Sequence, residues 1–124
     1  MALGAMVDAH ARSTRMDIHE VVRRMNTHLG ATAVAALAGS RDSKLPYRWA
    51  KATEPGQEAQ DRIYTAHRVW LVIADAESDH VARTWFLGNN PILGEISPVL
   101  ALREGRTKEV ADAAEAFVTG AWHD

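Results

Sequence analysis

Apolar residues recur at helical spacing along almost the whole chain, whereas the alternation typical of strands is nearly absent. Residues suited to cap a helix precede several of these periodic segments, and glycines follow several of them. The pattern therefore predicts an all-α fold. Its helices are predicted from Asp17 to Gly30, from Thr32 to Ala38, from Asp42 or Ser43 to about Ala52, from Gln57 to Ala76, from Ser78 to about Phe86, briefly from Ser97, and from Thr107 to Gly120.

The predicted helix from Gln57 to Ala76 is the longest, and it carries apolar residues on two faces, with Trp70 as a core anchor on one of them. We expect such a helix to pack on both sides and to form a spine between two halves of the chain. The predicted architecture is an N-terminal helix-turn-helix bundle at 16–76, joined by this spine to a small C-terminal helical domain at 77–124. Residues 1–15 contain few large apolar side chains and are expected to form a flexible N-terminus.

Composition excludes several classes of protein. The 124 residues include no cysteine, which excludes disulfide scaffolds and zinc sites built on thiolates. No apolar run approaches the roughly 20 residues that cross a bilayer, and the N-terminus lacks the apolar centre of a signal peptide. We therefore expect a cytoplasmic protein without a membrane partner.

Charge is distributed unevenly along the chain. Residues 1–68 carry ten Lys and Arg against seven Asp and Glu, whereas residues 69–124 carry four against nine. A basic first half favours a polyanionic partner. Scattered surface charge explains so small a difference equally well.

The third predicted helix has two distinct faces. Leu45, Trp49 and Ala52 fall on one face and are expected to point into the core. The opposite face and the turn before it carry long hydrogen-bond donors, and no acidic residue occurs between Ser43 and Thr53. Such donors can contact phosphates and base edges, although a solvated helix surface is the alternative explanation. The candidate DNA-binding residues are Arg41, Ser43, Lys44, Tyr47, Arg48 and Lys51.

The acidic second half contains no convincing catalytic set. Asp75, Glu77 and Asp79 cluster across a helix break, where the end of one helix and the start of the next explain them. No Gly-rich phosphate loop follows a strand. His67 and His80 fall on different predicted helices without a third ligand, so we expect both at the surface or its boundary. The sequence therefore predicts no enzyme activity, no metal site and no cofactor.

The segment Phe86–Pro98 places apolar residues among turn-forming ones. Such a segment either folds back onto the core, which we expect for most of its side chains, or presents them to another protein. Trp122 follows the last glycine, two residues from the end. It is either docked on its own domain or offered to a partner, and we hypothesise that it is a hot spot for partner binding or self-association.

Two segments carry a resemblance to a known family. The stretch Gly39–Ala52 (GSRDSKLPYRWAKA), followed by the helix containing Ala59–Trp70 (AQDRIYTAHRVW), resembles the Xre-like module of actinobacterial MbcA/Xre/ParS-type antitoxins. The second half resembles the toxin-binding domain of that family. The order that carries this second likeness is Trp85, Asn89 or Asn90, Pro98, Leu100 and Leu102, Gly105, Val110 with Ala113, and Gly120.

The resemblance covers roughly Asp17 to Trp122. Pro46 departs from the family pattern, because it lies inside the third predicted helix, which would be the recognition helix. The resemblance implies that the protein represses its own operon and neutralises a cognate toxin, often a RES-domain enzyme that consumes NAD. The resemblance also implies that the loop Gly88–Gly94 and the C-terminal tail Gly120–Asp124 face the toxin. The candidate partner-binding residues are Asn89, Asn90, Ile92, Leu93, Trp122 and His123.

Two further functions fit the same pattern. One is a stand-alone or phage-type transcription regulator whose second half only dimerises. The other is a protein-interaction module whose helix-turn-helix has lost DNA binding. Helix-turn-helix proteins usually bind palindromic operator DNA as dimers, so we expect a homodimer or a higher oligomer.

Overall fold

A computed structural model describes residues 4–9 and 16–120. These residues form helices and no strand, which confirms the all-α prediction; one isolated bridge joins Asn90 and Ile96. A 3₁₀ turn spans Pro91–Leu93. The helices are α1 (residues 4–9), α2 (Ile18–Leu29), α3 (Ala31–Ala38), α4 (Leu45–Trp49), α5 (Gln57–Ala76), α6 (Asp79–Leu87), α7 (Pro98–Arg103) and α8 (Thr107–Thr119).

Side-chain caps fix where several helices begin. The Asp17 carboxylate accepts from the Glu20 amide at 2.9 Å, and the Ser78 hydroxyl accepts from the Val81 amide at 3.1 Å. Ser97 caps α7 in the same way. These bonds satisfy amides that have no partner within the helix, so the predicted starts of α2 and α6 are confirmed.

Helix α5 packs on both sides, as its two apolar faces predict. It contacts α2 and α3 on the N-terminal side of the chain and α6 and α8 on the C-terminal side. Trp70, on α5, is buried. Helix α7 also packs directly on α3, so a single hydrophobic core runs through both predicted halves.

Helix α4 is shorter than predicted. It ends at Trp49, and the carbonyl oxygen of Arg48 then accepts from the amides of three residues, 51 to 53. Pro46 stands at the second helical position, where its missing N–H costs nothing and its fixed φ favours a helix start. The prediction that the helix continues to Ala52 with that side chain in the core is therefore wrong, because Ala52 is exposed in the turn that follows.

Two other predictions need correction. His67 is fully buried on α5, whereas the sequence placed it at the surface or its boundary; His80 is exposed. No helix was predicted before Asp17, but residues 4–9 are helical and Ala9 is buried. Of the helices described, none combines the length and apolar character needed to cross a membrane.

Candidate nucleic-acid interface and apolar groove

The six candidate DNA-binding residues lie together on α4 and on the turns on either side of it. All six are exposed, including the ring of Tyr47 at 61%. On the opposite side of α4, Pro46 and Trp49 are buried against the core. We call the exposed set the basic surface: Arg41, Ser43, Lys44, Tyr47, Arg48 and Lys51.

The cations of the basic surface form no ion pair with any residue from 16 to 120. Several other exposed cations are neutralised locally. Arg23 and Arg24 both bond the Glu20 carboxylate and hold the pKa of Glu20 below its ordinary value. Lys108 pairs with Asp112 at 2.8 Å. The charges of the basic surface therefore remain available to an external anion.

Hydrogen bonds within the chain shape the turn that precedes α4. The Ser40 hydroxyl accepts from the Asp42 amide at 3.0 Å, and the Asp42 carboxylate accepts from the Lys44 amide at 2.9 Å. These side-chain bonds to backbone amides are typical of Asx and Ser turns. They give the backbone of residues 40–44 a fixed path beneath the exposed side chains.

Helix α2 holds α4 by three polar side chains. His19 Nδ1 donates to the Trp49 carbonyl at 2.7 Å, and Arg23 Nη1 donates to the Ala50 carbonyl at 2.7 Å. One turn further along, a third residue, Asn26, donates from Nδ2 to a carbonyl of α4 at 3.0 Å. The Trp49 and Ala50 carbonyls lie at the C-terminal end of this short helix, where amides of a following turn are lacking. The Pro46 carbonyl accepts from the Ala50 amide at 3.1 Å as well as from Asn26.

This function of α2 was not predicted from the sequence. His19, Arg23 and Asn26 stand at i, i+4 and i+7, which places them on one polar face of the helix. This spacing is visible in the sequence and indicates a polar face on α2. It could not show which carbonyls the three side chains meet, because those lie 20 to 30 residues away along the chain.

A second feature is an apolar groove between α6, α8 and the loop that follows α6. It consists of two adjoining hollows of about 240 and 260 Å³, which share Thr84, Trp85 and Phe117. Trp85 and Phe117 form its floor, with ring centroids 6.3 Å apart. The remaining lining residues are His80, Val81, Gly88, Asn89, Asn90, Pro91, Ile92 and Ala113.

The structure brings three of the candidate partner-binding residues to this groove. Asn89, Asn90 and Ile92 line it, and 45% of the Ile92 side chain is exposed. The prediction that Leu93 contacts a partner needs correction, because only 2% of this residue is exposed and it packs in the core. Trp122 and His123 lie outside the described residues.

Asn90 closes the loop by hydrogen bonds that leave Ile92 exposed and bury Leu93. Its side chain accepts from the Ile92 amide at 2.9 Å, its amide donates to the Ile96 carbonyl, and its carbonyl accepts from the amides of Leu93 and Glu95. The resulting 3₁₀ turn directs Leu93 inward and leaves Ile92 outside. Asn90 therefore has a structural task in addition to lining the groove.

No group of three or more His, Asp or Glu side chains suited to hold a metal ion occurs in the described part of the chain. Comparisons of this protein with protein-family models, with curated proteins and with solved structures found no match.

Proposed function

We propose that the protein is a transcriptional repressor that binds double-stranded operator DNA through the basic surface. The observation that carries the proposal is that this surface has four exposed cations that form no ion pair with residues 16–120, set around a helix whose other side is buried. Arg and Lys in such an arrangement contact phosphates and guanine edges, while Ser and Tyr donate to backbone oxygens.

A single copy offers little surface to DNA, because α4 has only five residues. Specific protein–DNA interfaces are usually larger than one such module provides. The proposal therefore includes a homodimer or a higher oligomer that places two copies of α4 on a palindromic site. Since a repressor works where the DNA is, the proposal also places the protein in the cytoplasm.

The test is a titration of a labelled DNA fragment from the region upstream of the protein's own gene, at several salt concentrations. Replacing Lys44 and Arg48 together by Ala should weaken binding by roughly tenfold or more and lower the slope of log K against log salt by about 2. Unchanged affinity and slope would refute the assignment of the basic surface.

The matched control removes two positive charges elsewhere. Arg83 is exposed on α6 and Lys108 is exposed on α8, so the variant with both replaced by Ala changes the net charge by the same amount. It should keep the affinity and the salt slope of the wild type. An equal loss in this control would show that net charge, and not the basic surface, drives binding.

We propose further that the apolar groove binds a partner protein, which the resemblance to MbcA/Xre/ParS-type antitoxins makes a cognate toxin, often of the RES type. Trp85, Phe117 and the exposed part of Ile92 offer the kind of aromatic and aliphatic contacts on which binding hot spots are built. The acidic balance of residues 69–124 would favour a partner with a basic contact surface.

Co-expression with the product of the neighbouring gene tests this part of the proposal. Co-purification of the two proteins, together with relief of the neighbour's toxicity by this protein, would support toxin binding. Operator binding without a partner would instead favour a stand-alone regulator whose second half only dimerises. Partner binding without DNA binding would favour a protein-interaction module.

A further inference from the structure

One arginine of the C-terminal half reaches the turn that carries the basic surface. Arg103 lies in the last turn of α7 and donates from Nη1 to the Ala36 carbonyl at 2.9 Å and to the Ser40 carbonyl at 3.0 Å. More than 60 residues separate donor and acceptors in the sequence. A single guanidinium nitrogen thus ties the end of α3 to the segment that leads into α4.

The two carbonyl oxygens are suitable partners for a cation. Ala36 belongs to the last turn of α3, which carries the negative end of the helix dipole, and its carbonyl also accepts from the Gly39 amide at 3.1 Å. Arg103 is half-buried and forms no ion pair among residues 16–120. Hydrogen bonds from a charged donor are stronger than neutral ones, so this contact constrains the turn more than an ordinary bond would.

A continuous series of hydrogen bonds leads from Arg103 to the basic surface. Arg103 bonds the Ser40 carbonyl, the Ser40 hydroxyl accepts from the Asp42 amide, and the Asp42 carboxylate accepts from the Lys44 amide. Arg41 lies within this bonded segment. The direction of the first side chains of the basic surface therefore depends on where Ser40 is held.

A second arginine bonds the same helix end. Arg62 of α5 donates from Nη1 to the Ala38 carbonyl at 3.3 Å, and its guanidinium lies close to Gly39. Arg62 comes from the spine helix, whereas Arg103 comes from α7, which lies within the C-terminal half predicted at 77–124. Among the described residues, the hydrogen bonds of Arg103 are therefore the side-chain bonds by which the groove-forming half of the chain holds this turn.

We infer that Arg103 is a positioning residue for operator binding: from the C-terminal half, it sets the path of the turn that presents Arg41, Ser43 and Lys44 to DNA. The inference rests on the proposed operator binding. It makes the two halves of the chain one functional unit, since the basic surface is held in place by a side chain of the groove-forming half.

The test compares Arg103→Ala with Arg106→Ala in the operator titration. Both variants lose one positive charge, but among the described residues the Arg106 side chain bonds Glu104 and Glu109 and not the turn at 36–44. Arg103→Ala should lower operator affinity by about tenfold, and Arg103→Lys, which keeps a charged donor at the end of a shorter side chain, should fall between it and the wild type. Arg106→Ala should stay within about twofold of the wild type.

A double-mutant cycle separates positioning from a general loss of stability. If Arg103 acts by positioning Arg41, the affinity loss of the variant Arg41→Ala, Arg103→Ala should be smaller than the product of the two single losses. Thermal unfolding of each variant shows whether it is folded at the temperature of the titration. Where Arg103→Ala is unfolded, Arg103→Lys takes its place in the cycle, with Arg106→Lys as its control.

Folded Arg103 variants that bind operator as tightly as the wild type would overturn the inference, and so would losses that multiply independently in the cycle. A wild-type protein that fails to bind its upstream DNA would instead overturn the proposed function. The two failures are therefore distinguishable.

Discussion

Asn26 of α2 donates from Nδ2 to the Pro46 carbonyl of α4 at 3.0 Å, while its own Oδ1 atom is buried without a hydrogen-bond partner among the described residues. The bond joins the middle of one helix to the start of the short helix that carries the basic surface. The acceptor, Pro46, has a fixed φ that favours the start of a helix.

Replacing Asn26 by Asp should destabilise the protein and weaken operator binding. A carboxylate at this position offers no donor and places a negative charge against the Pro46 carbonyl, so we expect the free energy of unfolding to fall by about 1–3 kcal/mol. Urea unfolding measures the loss. The control is Thr27→Ala at the exposed neighbouring position, which should stay within about 0.5 kcal/mol.

Gly39 ends α3 at a φ of +93°, in the left-handed region, and a Cβ atom there would lie 2.6 Å from Arg62 Nη1. Gly39→Ala should therefore lower the free energy of unfolding by about 1–2 kcal/mol, from backbone strain and from displacement of the Arg62 side chain. Gly56→Ser is the control, because Gly56 has a φ of −63° and open space where its side chain would stand. Equal losses in the two variants would contradict this account of the turn.

The imidazole of His28 stacks on the indole of Trp70, with ring centroids 4.1 Å apart and an interplanar angle of 12°. Burial lowers the pKa of His28 below its ordinary value of 6.5; Asp79 opposes this shift, and Arg24 adds to it. The unfolded chain therefore binds a proton on His28 more readily than the folded chain does. The stabilisation by neutral His28 is complete above pH 6.5 and is lost as the pH falls through the lowered pKa.

His28→Phe keeps an aromatic ring at this position but cannot titrate. Between about pH 7.5 and about pH 5, its free energy of unfolding should decrease less than that of the wild type. Chemical unfolding of both proteins across this range measures the difference. Identical pH profiles would show that the His28 proton has no part in stability.

Thr84 is exposed on α6 and lines both hollows of the apolar groove. Thr84→Lys should abolish co-purification of a partner that occupies the groove, because a cation would be placed among apolar contacts. Its free energy of unfolding should stay within about 0.5 kcal/mol of the wild type. Leu100→Lys is the control at an exposed apolar position of α7 outside the groove, and it should leave partner binding unchanged.

The helix starts and stops were predicted correctly where they depend on neighbouring residues. Asp17 and Ser78 cap their helices through amides only three residues away, and Gly39 ends α3 with a left-handed backbone that few other residues adopt. The apolar stripes on α5 likewise predicted its packing on two sides. In each case the physical cause lies within one or two turns of the chain.

The candidate surfaces were predictable only in part. The exposed donors around α4 follow from a local pattern of charge and apolar residues, and all six lie on the surface as expected. The exposure of Ile92 and the burial of Leu93 do not follow from a local pattern, because the two residues are apolar neighbours. The loop closed by Asn90 directs Leu93 into the core.

The sequence by itself thus determined most of the helices, the side-chain caps of α2 and α6 and the basic character of one exposed surface, because periodicity, capping and local charge are properties of short segments. The tertiary structure alone decided the short length of α4, the burial of His67 and the reach of Arg103 to the turn before the basic surface. These features depend on contacts between segments distant in the chain. No local pattern encodes which carbonyl oxygen a remote arginine will meet.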